Sequence, residues 1–156
     1  MFPLKKILCP TDFSEPSYVA LVAANELAQR FSAEIILVHG IRTIDIMPAT
    51  TGSVYTPPII NVESYLNDME EQAKITLDEV VEKKMPKNIT VRPVVFQGDP
   101  AIGIIDLAND EKTGMIVIAT HGRTGWRRIV FGSVAEKVVR LAPCPVLVIH
   151  EPRQKS

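Results

Sequence analysis

Five short runs rich in apolar and β-branched residues recur along the chain, at residues 4–9, 34–39, 89–96, 115–120 and 145–150, and four of them are apolar almost throughout. A strand with one wet face alternates apolar and polar residues. A strand covered on both faces does not, and continuous runs of this length fit a parallel sheet enclosed by helices better than a half-exposed antiparallel one. At 156 residues the chain is long enough for one such sheet with a substantial core and short for two.

The intervening segments carry helical spacing. Ala20, Ala24, Leu27 and Phe31 repeat at three- and four-residue intervals, while Asn25, Glu26, Gln29 and Arg30 fall mostly elsewhere on the wheel, which predicts an amphipathic helix. A second helix is expected over about 63–84, with Leu66, Met69, Ala73, Leu77 and Val80 inward, stopping at Pro86. Gly98-Asp99-Pro100 announces a third, with Asp99 as cap and Pro100 in the first helical position, running to about Asn109. The fourth is expected from Ser133, whose spacing to Glu136 reads as a capping box, to just before Pro143.

The resulting β-α-β-α-β-α-β-α-β order predicts an α/β fold, a five-stranded parallel sheet in the order 3-2-1-4-5 with helices on both faces, Rossmann-like in its crossovers. Such sheets bind ligands at the carboxyl ends of the strands, where the order reverses between strands 1 and 4. That singles out residues 10–14 and 120–133. The chain is read as one domain over 1–151 with a tail at 152–156. It contains a long mobile loop at about 41–62, which has three prolines and no convincing period. Its apolar content leaves open a docked role, as a cover over the site or a contact between two copies.

Composition excludes several functions. Seventeen Lys and Arg against 18 Asp and Glu give a net charge of -1, so no global field attracts nucleic acid or anionic membrane. Cys9 and Cys144 are far apart and form neither a C-x-x-C pair nor a metal cluster with the three histidines, which fits a reducing compartment. The apolar stretch near the N-terminus is too short for a signal core or a membrane span. The chain is therefore expected to be cytoplasmic.

The segment from Ala119 to Ser133 lies between a buried strand and a helix entry and contains Gly122, Gly125 and Gly132. Glycines allow left-handed backbone and close approach of a ligand to main-chain N–H groups, and a helix N-terminus offers unpaired donors and a positive dipole end. Together these suit an anion such as phosphate. A plain βα loop with a serine cap is the alternative reading of the spacing. Neither a Walker A loop nor a G-x-G-x-x-G fingerprint occurs in the chain.

The segment resembles the G-x2-G-x9-G-[ST] motif of the ATP-binding universal stress proteins, read here as Ala119-x2-Gly122-x9-Gly132-Ser133. The resemblance extends to residues 5–14 (KKILCPTDFS), to Gly98-Asp99-Pro100, and to GSVAEKV at 132–138 followed by CPVLV at 144–148. It implies ATP as ligand. Pro10, Thr11 and Asp12 then border the adenosine, with Asp12 accepting hydrogen bonds from adenine or ribose; an Asx turn ahead of the first helix is the other reading of Asp12. The main chain at Gly40 meets the adenine edge, Ala119 and Gly122 line ribose and phosphates, and Gly132, Ser133 and Val134 hold the outer phosphates through backbone N–H groups and the Ser133 hydroxyl.

Two positions depart from the pattern. Ala119 stands where the motif has its first glycine, and Gly40 where the family more often has a small apolar side chain. Arg123, Arg127 and Arg128 add charge beside the phosphates, Arg123 being counted with the site. Trp126 is read as a loop aromatic and His39 as a core histidine, which leaves His121 as the histidine near phosphate. Between Ala119 and Ala135 there is no Asp, Glu, Asn or Gln, so binding with slow or no hydrolysis is expected. Any Mg²⁺ or Mn²⁺ is then held mainly by phosphate oxygens.

The functional expectation is a nucleotide-gated stress or signalling module acting through a protein partner. A dimeric interaction protein that binds no nucleotide is the alternative, argued from Ala119; an enzyme using Asp12 and His121 is a third. The last run opens on Pro145, closes on His150 and carries no Asp, Glu, Lys or Arg, so as an edge strand it is expected to pair with a second copy in a homodimer, as similar proteins do.

Overall fold

The computed structural model describes residues 4–43, 61–120 and 132–150. The elements are β1 (Lys6–Pro10), α1 (Glu15–Phe31), β2 (Glu34–Ile41), α2 (Val62–Lys84), β3 (Val91–Gln97), α3 (Pro100–Asp110), β4 (Met115–Ala119), α4 (Ser133–Leu141) and β5 (Val146–Ile149). They form one sheet in the order β3-β2-β1-β4-β5, with every neighbouring pair parallel. The predicted order is the observed one.

Side-chain alternation divides the core into two apolar layers. Ile7 and Cys9 of β1, Ile35 and Leu37 of β2 and Val117 and Ala119 of β4 pack with Ala20, Leu21, Ala24 and Ala28 of α1 and Leu77 and Val80 of α2. Leu8, Ile36, Val38, Ile116 and Ile118 face the other way, toward Ala101, Ile104 and Ala108 of α3 and Ala135 and Val138 of α4. The three central strands are thus covered on both sides, which is why their sequences do not alternate.

The two edge strands differ from that reading. β3 is only half-buried, with Pro93 exposed where an edge strand tolerates a missing N–H. β5 is short and its residues are half-buried or exposed, Leu147 among the exposed large apolar side chains. Its apolar sequence therefore does not reflect burial on both faces within the chain.

Helix faces also shift. The inner arc of α1 is Ala20, Leu21, Ala24 and Ala28, and Phe31, expected inside, is exposed. Small residues let α1 lie close to the sheet. In α2 the buried residues are Ala73, Leu77 and Val80, whereas Leu66 is half-buried and Met69 exposed, so its first half covers little of the core. Ile41 and Val62 belong to β2 and α2 and Asn61 caps α2; residues 44–60 of the expected loop and the tail lie outside the described residues.

At the amino ends of the strands, four charged side chains form a belt. Glu111 accepts from Lys6 Nζ at 2.7 Å and from an Arg92 terminal nitrogen at 2.8 Å, and Arg92 Nε reaches Glu34 Oε1 at 3.1 Å. Lys6, Glu34 and Arg92 open or nearly open three adjacent strands. No helix among the described residues is long and apolar enough to cross a membrane.

Candidate functional site

At the carboxyl end of the sheet, β1 runs out through Pro10 into a turn whose polar groups bond one another. Thr11 is buried, and its amide donates to the Val38 carbonyl at 2.8 Å. The Thr11 hydroxyl meets Ser17 Oγ at 2.8 Å and accepts from the Phe13 amide at 3.0 Å. Asp12 Oδ1 accepts from the Ser14 amide at 3.1 Å and from the Ser14 hydroxyl, so the carboxylate forms an Asx turn that orients the α1 cap. Ser14 in turn caps α1, accepting from the Ser17 amide at 3.4 Å.

The end of β2 locks onto this turn. His39 Nδ1 lies 2.8 Å from the Thr11 carbonyl, to which it donates, and the imidazole stacks on Phe13 with centroids 4.4 Å apart. Phe13 holds a left-handed backbone at φ 64°, uncommon for a bulky residue and sustained by these contacts. The expected core histidine is thus half-buried and joins β1 to β2.

Gly40 follows His39 and is the register partner of Phe96 on β3. A Cβ at position 40 would sit 2.7 and 2.9 Å from Phe96 ring atoms and 3.3 Å from Pro100 Cα. Packing accounts for this glycine. Neither its φ nor that of Gly132 is positive, so a left-handed turn requires neither glycine.

The second half of the site is the passage from β4 to α4. Ala119 is buried and belongs to the apolar layer on the α1 side, in register with Ile149. The next residue, Thr120, is buried and donates its amide to the Ile149 carbonyl at 3.0 Å. Its own carbonyl accepts from the Gly132 amide at 2.8 Å, which brings the α4 entry back against the β4 exit. A Cβ on Gly132 would lie 3.2 Å from that same carbonyl.

The expected capping box does not form. Gly132, at φ -60° and ψ 147°, is the N-cap, and α4 has no side-chain cap hydrogen bond. Ser133 is already in the first turn, and the exposed Glu136 side chain instead approaches Arg140 at 3.9 Å. The Gly132–Thr120 bond sets the register of the helix start by one residue and displaces the local motif. The first intrahelical amide is that of Glu136, donating to the Gly132 carbonyl at 2.9 Å. The amides of Ser133, Val134 and Ala135 precede it and have no intrahelical acceptor, and the Ser133 hydroxyl stands beside them on an exposed residue.

The α3 entry lies on the same side of the sheet. Asp99 caps it, accepting from the Ile102 amide at 3.0 Å, and that bond chiefly holds its carboxyl below the usual range. Lys137 of α4 reaches Asp99 Oδ2 at 3.5 Å.

The structure therefore brings Pro10, Thr11, Asp12, Gly40, Ala119, Gly132, Ser133 and Val134 to one end of the sheet. His121, Gly122, Arg123, Trp126, Arg127 and Arg128 lie outside the described residues. Sequence reading did not find Phe13 or Phe96. Among the described residues no group of three or more His, Cys, Asp or Glu is placed to hold a metal ion.

The helix entry without a side-chain cap hydrogen bond lies at the switch point of an open, doubly wound parallel sheet, the place where α/β proteins of this class bind their ligands. The universal stress protein family model matches residues 3–150, and the chain belongs to that family. Universal stress protein MJ0531 of Methanocaldococcus jannaschii is 34% identical over 151 residues, covering 97% of this chain and 85% of its own. The solved structure of MJ0577 from the same organism superposes with a TM-score of 0.77 at 29% identity, covering 98% of this chain and 100% of that one. Two more distant solved relatives share the fold at a TM-score of 0.57. One is a universal stress protein in complex with cAMP, 21% identical over 94% of this chain and 97% of its own. The other is an Arabidopsis thaliana family protein with AMP bound, 17% identical over 95% of this chain and 92% of its own.

Proposed function

We propose that this chain is a cytoplasmic adenine-nucleotide-binding module, with ATP as the leading ligand, that signals through a homodimer or a protein partner and hydrolyses slowly or not at all. The observation that carries this reading is the α4 entry. Three amides without intrahelical acceptors and one hydroxyl converge at a positive dipole end, pinned by Gly132 to the switch point of the sheet.

In this reading Ser133, Val134 and Ala135 supply the amides for the outer phosphates. The Gly132 amide is already donated to Thr120, so Gly132 contributes by letting the helix approach. The main chain of Gly40 meets the base, Pro10 and Asp12 border the sugar, and Gly122 and Arg123 complete the phosphate side. Packing of Ala119 into the core layer on the α1 side weakens the argument that its methyl group bars a ligand. The cAMP- and AMP-bound relatives support the ligand class. A divalent cation, Mg²⁺ or Mn²⁺, enters with the nucleotide, coordinated mainly by phosphate and water.

For the dimer, the support is the open edge of β5. The carbonyls of Pro145 and Ile149 point toward β4, accepting from Ile116 and Thr120 at 3.0 Å, so Val146 and Val148 turn their main-chain groups outward. A family member that binds no nucleotide and serves only as a dimer is the second reading, favoured by the engagement of Asp12 Oδ1 within its own turn. Calorimetric titration with ATP, AMP and cyclic AMP tests the first: micromolar or tighter binding of at least one supports it. Absence of all three, with a dimeric mass in sedimentation, selects the second. An ATPase rate in the range of ordinary kinases would overturn the expectation of slow turnover.

A further inference from the structure

We propose that Phe96 is the base-side wall of the nucleotide site, standing where a β2 side chain at position 40 would stand, and thereby sets which base the site admits; this rests on the nucleotide reading above. Alternation along β2 aims the absent side chain of Gly40 at the α3 face, the side taken by Ile36 and Val38. That space belongs to the Phe96 ring, 2.7 Å from where a Cβ at position 40 would lie.

The ring lies there because α3 also yields. A Cβ on Gly103 would come within 2.0 to 2.5 Å of three Phe96 ring atoms. Two glycines, one on β2 and one on α3, therefore make a slot that fixes a flat side chain against the carboxyl end of β2. Phe96 remains half-buried, which distinguishes it from the fully enclosed residues of the same layer such as Leu8, Ile36 and Ile116.

Direction completes the case. Helix α4 packs on the same face as α3, so the amides proposed for phosphate and the Phe96 ring flank the same side of the sheet end. A nucleotide with its phosphates at α4 and its base on the Gly40 main chain runs its base toward the ring. One methylene more or less in an apolar pocket changes discrimination between ligands by roughly 10- to 200-fold.

The test is titration of ATP, GTP and inorganic tripolyphosphate against the wild-type protein and Phe96→Leu. Phe96→Met, which keeps an apolar side chain without the flat ring, serves as second variant should Leu not fold. The wild type is expected to prefer ATP to GTP. Both variants are expected to bind ATP about tenfold more weakly with a narrowed ATP-to-GTP ratio, and tripolyphosphate within about twofold of wild type. Unchanged ATP affinity and base preference, or an equal loss for ATP and tripolyphosphate, overturns the wall assignment while leaving the nucleotide reading intact. Failure of the wild type to bind any of ATP, AMP or cyclic AMP removes the nucleotide reading and this inference with it.

Discussion

Gly132 and Thr120 meet at close quarters: the Gly132 amide donates to the Thr120 carbonyl at 2.8 Å, and a Cβ on Gly132 would stand 3.2 Å from that oxygen, tighter than an ordinary van der Waals contact. The helix entry is thereby placed against the strand exit.

Gly132→Val forces this contact apart and moves the three open amides of α4. ATP affinity is expected to fall at least about tenfold by calorimetry, equivalent to roughly 1.4 kcal/mol. Ser133→Ala removes one donor and leaves the amides in place, so its loss is expected to be about two- to tenfold, in the range of roughly 0.5–1.5 kcal/mol for one hydrogen bond. Equal effects of the two variants would contradict the proposed division between amides and hydroxyl.

Thr11→Val keeps the shape of a buried side chain and removes the hydroxyl shared by Ser17 and the Phe13 amide. Buried polar groups left without partners cost about 1–3 kcal/mol. Urea denaturation is expected to show a loss of that size with an unchanged slope.

Gly103→Ala drives a methyl group into the Phe96 ring. Overpacking of this kind typically costs about 1–3 kcal/mol. Since the clash involves one neighbour, Gly103→Ala combined with Phe96→Leu is expected to be less destabilised than the sum of the two single variants. Additive losses in a double-mutant cycle would show that the slot is not the cause.

The charged belt predicts an acid response. Hydrogen bonds from Lys6 and then Arg92 hold the Glu111 carboxyl below its ordinary value. A carboxylate with a depressed folded-state value stabilises the fold above its unfolded value, and that contribution disappears as pH falls through the folded value. Glu111→Gln is therefore expected to lower the melting temperature at neutral pH, with the gap to wild type closing as pH drops below the carboxylate range. A gap independent of pH would refute the ion-pair account.

Burial pushes the Cys9 thiol up to about 12, and burial also raises that of the half-buried Cys144. Thiolate is the reactive form. At pH 8 a maleimide is expected to label Cys144 first in the native protein and Cys9 only after denaturation, as read by peptide mass mapping.

The strands were legible because two-sided burial leaves an unbroken apolar stretch inside β1, β2 and β4, and the alternation of strands and helices marked a parallel sheet. What was not legible depends on partners distant in sequence. Ser133 and Glu136 have the spacing of a capping box and the helix does begin at Ser133, yet the cap is Gly132, whose amide is held by the Thr120 carbonyl, and no side chain caps the entry. Phe31 has helical spacing with Ala24 and Leu27, but close approach of α1 to the sheet selects the arc of Ala20, Ala24 and Ala28 instead. The slot around Phe96 requires both the pairing of β2 with β3 and the position of α3 over them. Gly40 stood out only as a departure from the family pattern, and the packing reason for it appears once its neighbour across the ladder, Phe96, is known.

The belt of Lys6, Glu34, Arg92 and Glu111 lies at the opposite end of the strands from the α4 entry. One pole of the sheet pairs its charges within the chain, and at the other the first three amides of α4 have no intrahelical acceptor. A change at the belt therefore bears on the stability of the fold without touching the α4 entry.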